Sequence, residues 1–180
     1  MADAEHKIIF AGPVGAGKTT AIGAISDIPV VATEARATDD VALRKSRTTV
    51  AMDYGVIMLD GGGKLHLYGT PGQERFRFMW DILATGSLGV VLLMHNARPD
   101  PLADLRFYLD AFQDLVAGTA VVVGVTRTDM QPRPSIAAYQ TWALAHGLRI
   151  PILTVDARSC EDIAMLLKVL LAMLDPSLRR

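Results

Sequence analysis

Gly12-Pro13-Val14-Gly15-Ala16-Gly17-Lys18-Thr19 sets the reading of this chain. The stretch satisfies Gly-x-x-x-x-Gly-Lys-[Ser/Thr] at each fixed position. Its flanks are those the chemistry requires: His6 to Ala11 (His-Lys-Ile-Ile-Phe-Ala) reads as a short apolar strand, and Thr19 to Ser26 as a helix. Glycines let successive backbone N–H groups turn inward around a phosphate chain, which makes Gly12, Val14, Gly15, Ala16 and Gly17 candidate contacts. Lys18 adds a point charge against the outer phosphates, the Thr19 hydroxyl is a candidate Mg2+ ligand, and Thr20 follows on the same turn. The helix start presents the positive end of its dipole to the same anion. The alternative is a Gly-rich turn with no ligand; the strand directly before it and the helix directly after it argue against that.

The bulk numbers narrow the class. With 180 residues, a single domain over 1–180 is expected, and the chain is long enough to bury a full core. Hydrophobic residues make up 51% and charged residues 21%, which is a globular composition. A net charge of -1 offers no basic field for nucleic acid. One cysteine, Cys160, cannot form an internal disulfide, so a reducing compartment is expected. The N-terminus Met-Ala-Asp-Ala-Glu-His carries neither a signal peptide nor a myristoylation glycine, and Asp-Pro-Ser-Leu-Arg-Arg at the other end has no prenylation box. No apolar run reaches the ~20 residues of a membrane helix. The expectation is a cytoplasmic protein without a membrane anchor.

Outward from the phosphate loop, apolar runs alternate with helical patterns. Val50 to Leu59 reads as a second strand, Asp60-Gly-Gly-Gly63 as a turn, and Lys64 to Tyr68 as the hairpin partner. Leu88 to Met94 and Ala120 to Val125 are continuous apolar runs, as in parallel strands covered on both faces, and Ile150 to Val155 is a sixth strand. Helices are expected over about Gln73–Leu83, Pro101–Val116, Ser135–His146 and Glu161–Leu174. This order predicts an α/β fold: a six-stranded, mostly parallel sheet with helices on both faces and one antiparallel strand from the hairpin. Ligands of such sheets bind beyond the carboxyl ends of the strands, where the Gly12–Thr19 loop lies.

Further motifs give the chain a resemblance. Gly69-Thr-Pro-Gly72-Gln73-Glu74 is similar to the second switch motif of Ras-like small GTPases, usually Asp-x-x-Gly-Gln-Glu. Thr49-Val-Ala-Met-Asp53-Tyr54 resembles the first switch of the Rab type. Thr126-Arg127-Thr-Asp129 stands where that family has Asn-Lys-x-Asp, and Asp156-Ala157-Arg158 where it has Ser-Ala-Lys. The match runs from about residue 6 to 175, and the closest likeness is to bacterial members of the MglA type. The resemblance implies a P-loop G domain that binds GTP and GDP with Mg2+. Asp129 would accept from the ring N–H and the exocyclic amine of guanine, a donor pair that adenine lacks. The Arg127 stem would lie over the base, and the Ala157 N–H would reach the guanine carbonyl. Thr49 would join Thr19 on Mg2+, Gly72 would hold the γ-phosphate, and Gln73 would orient the attacking water. Arg47, with Arg44 nearby, is the candidate arginine finger in cis; the alternative is a solvated charge on a loop. A Roadblock-like activating protein and an effector are the implied partners.

Three residues depart from the family pattern. Gly69 replaces an aspartate near the metal, Thr126 replaces the asparagine that braces the phosphate loop, and Val14 places a β-branched side chain beside the γ-phosphate. Val14 and Gly69, with Gln73 left to position water alone, predict slow intrinsic hydrolysis, while Thr126 leaves Asp129 with less support. Two other readings stay open: a small-molecule or nucleoside kinase, for which the Asp27–Thr49 segment is short as a lid, and a nucleotide-bound scaffold without turnover. Phe76, Met79, Trp80 and Leu83 fall on one helical face and predict core packing, while Phe78 falls off it. Ile163 to Leu174 carries one charge, Lys168, which points to a buried helix or one that meets a partner. His6, His66, His95 and His146 have no metal-ligand spacing.

Overall fold

A computed structural model describes residues 5–36, 49–112 and 119–174. The elements are β1 (Glu5–Ala11), α1 (Lys18–Ile25), β2 (Val31–Arg36), β3 (Thr49–Met58), β4 (Lys64–Gly69), a 3-10 turn (Glu74–Phe76), α2 (Arg77–Ala84), β5 (Gly89–His95), α3 (Pro101–Ala111), β6 (Ala120–Thr126), α4 (Ile136–Ala145), β7 (Ile152–Thr154) and α5 (Cys160–Leu174). The strands form one sheet in the order β2-β3-β4-β1-β5-β6-β7. Only β3 runs against the others: it pairs antiparallel with β2 and β4, and the remaining pairs are parallel. The six expected strands all form. A seventh, β2, extends the hairpin outward and takes up Val31–Arg36, part of the Asp27–Thr49 segment for which no strand was expected.

Period-two alternation divides the core. From β1 and β5, Ile9, Val90, Leu92 and Met94 face α2, α3 and α4 through Trp80, Leu105, Tyr108 and Tyr139. Their neighbours Ile8, Phe10, Val91 and Leu93 face α1 and α5 through Ile22, Ile163, Leu166 and Leu170. Both faces of β5 and β6 are therefore covered, which is why their runs are continuously apolar. Full burial of each such side chain contributes about 1.5–3 kcal/mol.

The helix starts follow local chemistry. The Asp100 carboxylate accepts from Ala103 N at 3.0 Å, and Pro101 takes the first helical position of α3. Ser135 caps α4 in the same way through Ala138 N. The second half of the Pro101–Val116 expectation lies partly outside the described residues. The helix expected from Gln73 is instead a 3-10 turn followed by α2, with Gln73 before it in extended backbone. Phe76 and Trp80 are buried and Phe78 is exposed, as the helical spacing implies. On α5, Met165 and Leu171 are exposed outside the buried stripe. Among the described residues, no helix is long and apolar enough to cross a membrane.

Candidate nucleotide site

The phosphate loop is wedged between β5 and the turn after β7. A Cβ at Gly12 (φ 139°) would stand 2.0 Å from the Leu93 carbonyl oxygen, so only glycine lets the chain leave β1 this close to β5. Gly17 caps α1 in left-handed backbone (φ 97°), and a Cβ there would meet that of Ala157 at 2.7 Å. Lys18 is buried, its ammonium donating to Gly12 O (2.7 Å) and Pro13 O (2.8 Å). Burial pulls its pKa down to about 8, with the Asp53 charge working in the opposite direction. Val14 is 56% exposed, and its side chain points away from the core.

Asp53 changes the account of Gly69. The hairpin register places Asp53 opposite Gly69. A Cβ built at Gly69 would lie 3.0 Å from Asp53 Cβ and 3.1 Å from Asp53 Oδ2. A carboxylate from β3 thus occupies the space beside Gly69, where the sequence reading expected none. The Thr19 hydroxyl donates to Asp53 Oδ2 at 2.5 Å, which ties that carboxylate to the first turn of α1. Two hard oxygen donors side by side suit Mg2+, which takes few protein ligands and keeps several waters or phosphate oxygens. Thr49 opens β3 opposite Arg36. Arg44 and Arg47 lie outside the described residues.

The base side lies at the ends of β6 and β7. Gly17, Thr20, Thr126, Arg127, Asp129, Asp156, Ala157, Arg158 and Asp162 are among the residues lining one cleft of about 410 Å³. Thr126 keeps the brace expected of asparagine: its buried hydroxyl lies 2.9 Å from Ala16 O and 3.1 Å from Met94 O. Arg127 adopts left-handed backbone (φ 63°), which turns the chain outward toward Asp129. Arg158 forks onto Asp156, with Nη2 to Oδ2 at 2.7 Å and Nε to Oδ1 at 2.9 Å. These hydrogen bonds hold the exposed Asp156 carboxyl at about 2. Asp156 N donates to Asp162 Oδ2, so the turn carrying Ala157 is pinned to α5.

The sequence reading gave no site role to four residues of this arrangement: Asp53, Asn96, Trp80 and Tyr108. Fully buried Asn96 donates from Nδ2 to Gln131 O (2.6 Å) and Pro134 O (3.1 Å) and accepts from the Tyr139 hydroxyl (2.8 Å). It thereby anchors the loop carrying Asp129 to α4. Trp80 Nε1 donates to Pro71 O, and the Tyr108 hydroxyl donates to Gly72 O, each at 3.0 Å. Gly72 lies against the phosphate loop, and Gln73 is exposed beyond it. For Asp53 a signal existed: pairing Met58 with Lys64 across the glycine turn makes partner numbers sum to 122, which puts 53 opposite 69.

Residues 27–146, two thirds of the chain, match a protein family described as "Conserved hypothetical ATP binding protein". The chain belongs to this family. The matched span carries Asp53, Gly72, Gln73 and Asp129 and begins after the phosphate loop. The chain is also similar to Ras-related proteins. It is 25% identical over 165 residues to the Ras-related protein SEC4 of Saccharomyces cerevisiae, covering 89% of this chain and 71% of that protein. It is 22% identical over 180 residues to RabC of Dictyostelium discoideum, covering 97% and 86%. It is 29% identical over 110 residues to Rab-18-B of Danio rerio, covering 59% and 48%. The family member described here has the α/β fold of a small G domain: a mostly parallel sheet, helices on both faces and the phosphate loop after β1.

Proposed function

We propose that the chain is a small GTP-binding protein that cycles between GTP- and GDP-bound states as a cytoplasmic switch. One observation carries this reading. Gly17 and Thr20 of the phosphate loop and helix line the same cleft as Asp129. A nucleoside with its phosphates on the loop therefore brings its base to that carboxylate. A carboxylate accepts from the paired N–H donors of guanine and has no matching pair on adenine. Phosphates are held by the loop N–H groups and by Lys18. Thr19, Asp53 and Thr49 are the residues that would hold Mg2+, which supplies charge neutralisation on the phosphate oxygens. Gly72 contacts the terminal phosphate, and Gln73 orients water for slow hydrolysis. Arg47 or Arg44 supplies the arginine finger, and a Roadblock-like partner stimulates the step by ordering both segments.

The likeness to Ras-related proteins supports the guanine reading. The family description favours a second one, an adenine nucleotide at the same site. Chromatography of the nucleotide released by denaturing the purified protein separates them. GDP or GTP supports the switch, and ADP or ATP supports the adenine reading. Lys18→Ala should abolish retention in either case.

A further inference from the structure

Gly72 has no room for a side chain. A Cβ there would stand 2.6 Å from Val14 N, 2.9 Å from Lys18 Nζ and 2.9 Å from Pro13 C. One side of this glycine is thus committed to the phosphate loop. Its two flanking carbonyls are committed to the core: Pro71 O to the Trp80 indole and Gly72 O to the Tyr108 hydroxyl. Each carbonyl belongs to a different peptide plane. In a planar trans peptide the C=O and N–H point in opposite directions. Fixing Pro71 O therefore turns the Gly72 N–H away from Trp80, and fixing Gly72 O turns the Gln73 N–H away from Tyr108.

The two donors are themselves packed in the core. Trp80 is fully buried and Tyr108 is 3% exposed. Trp80 stacks with Tyr108 (centroids 5.0 Å, 25°) and with Phe112 (5.5 Å, 11°), and Phe107 is edge-on at 6.1 Å. Burial pushes the Tyr108 phenol up, so the hydroxyl keeps its proton and remains a donor. A rotation of either peptide plane would leave a buried indole N–H or phenol without a partner, which is costly.

We propose that Trp80 and Tyr108 are positioning residues for the nucleotide's terminal phosphate: by holding the two peptide planes around Gly72, they aim its N–H at that phosphate and set the starting direction of Gln73. The inference rests on the GTP-switch reading of the site. It makes the α2–α3 aromatic stack part of the machinery that tells a triphosphate from a diphosphate. GDP, which lacks the contacted phosphate, is indifferent to it.

The test is isothermal titration of GDP and a non-hydrolysable GTP analogue against wild type, Tyr108→Phe and Trp80→Phe, with thermal denaturation of each. Tyr108→Phe keeps the ring and removes one donor, and it stands as an independent test if Trp80→Phe does not fold. The expected result is a fall of about three- to tenfold in the triphosphate-to-diphosphate affinity ratio, the effect of one hydrogen bond, with GDP affinity within about twofold of wild type. An unchanged ratio, or an equal loss for both nucleotides, overturns the proposal and reduces the two bonds to core packing. A wild type that binds neither guanine nucleotide overturns the switch reading itself, and the proposal falls with it.

Discussion

Replacing Asp53 by asparagine should strip the site of its metal assistance while leaving its shape. The substitution keeps an oxygen opposite Gly69 and removes the charge. Two interactions change. The Thr19–Asp53 hydrogen bond at 2.5 Å loses its charge assistance, and a bound Mg2+ would lose one of its proposed oxygen donors. A hydrogen bond to a charged group contributes about 1.5–3 kcal/mol, which corresponds to about a ten- to hundredfold loss in affinity. Asp53 also raises the Lys18 pKa, so removing its charge lowers that value further below about 8 and the ammonium is lost at lower pH. Comparing each protein with and without Mg2+ at one pH isolates the metal effect from this change in Lys18. GDP affinity is measured with Mg2+ and with excess chelator. The gain conferred by Mg2+ should fall about ten- to hundredfold in Asp53→Asn, and the affinity in chelator should change by less than about threefold. The double variant Asp53→Ala with Gly69→Asp should recover part of the gain. It moves the carboxylate back to β4 and removes the Oδ2 that a Cβ at 69 would meet at 3.1 Å. An undiminished Mg2+ gain in Asp53→Asn would refute the reasoning.

Other residues give separable expectations. Thr126→Val is nearly isosteric and removes the hydroxyl beside Ala16 O and Met94 O; unfolding in urea should show a loss of about 1–3 kcal/mol, with nucleotide affinity reduced through the loosened loop. Tyr139→Phe leaves Asn96 Oδ1 without its buried donor and should cost about 1–3 kcal/mol by the same measurement, with the larger functional change in base affinity, because Asn96 anchors the loop bearing Asp129. Gln73→Leu should stop GTP turnover in single-turnover assays with GTP affinity within a few-fold of wild type, since water orientation acts on the transition state.

Local pattern and pairing information contributed unequally to what the sequence revealed. The phosphate loop was legible because its glycines, lysine and threonine act within eight consecutive residues. Strands β5 and β6 were legible because burial on both faces demands unbroken apolar runs. β2 was not: Val31-Ala-Thr-Glu-Ala-Arg36 is an edge strand whose identity comes from pairing with β3 rather than from an apolar run. Asp53 sits on a strand read for its likeness to a switch segment, and its neighbour Gly69 becomes visible only through register. Trp80 was placed correctly in the core by helical spacing. Spacing says nothing of the indole N–H, whose partner Pro71 O lies in a loop nine residues upstream. The bond from Tyr108 to Gly72 spans 36 positions and has no local signature at all. Thr126 looked like a lost brace because asparagine is the family's residue; its hydroxyl reaches the same loop from a shorter side chain.

Guanine selection by Asp129, in the cleft shared with the phosphate loop, is read out by calorimetric titration of GDP, ADP and XDP against wild type and Asp129→Asn. Wild type should bind GDP far more tightly than ADP or XDP, because guanine alone of the three bases offers the donor pair that a carboxylate accepts. Asp129→Asn should lose GDP and gain XDP, because an amide donates to the carbonyl that xanthine carries in place of the guanine amine. Equal binding of ADP and GDP by wild type, or an Asp129→Asn protein that still prefers GDP, would contradict it.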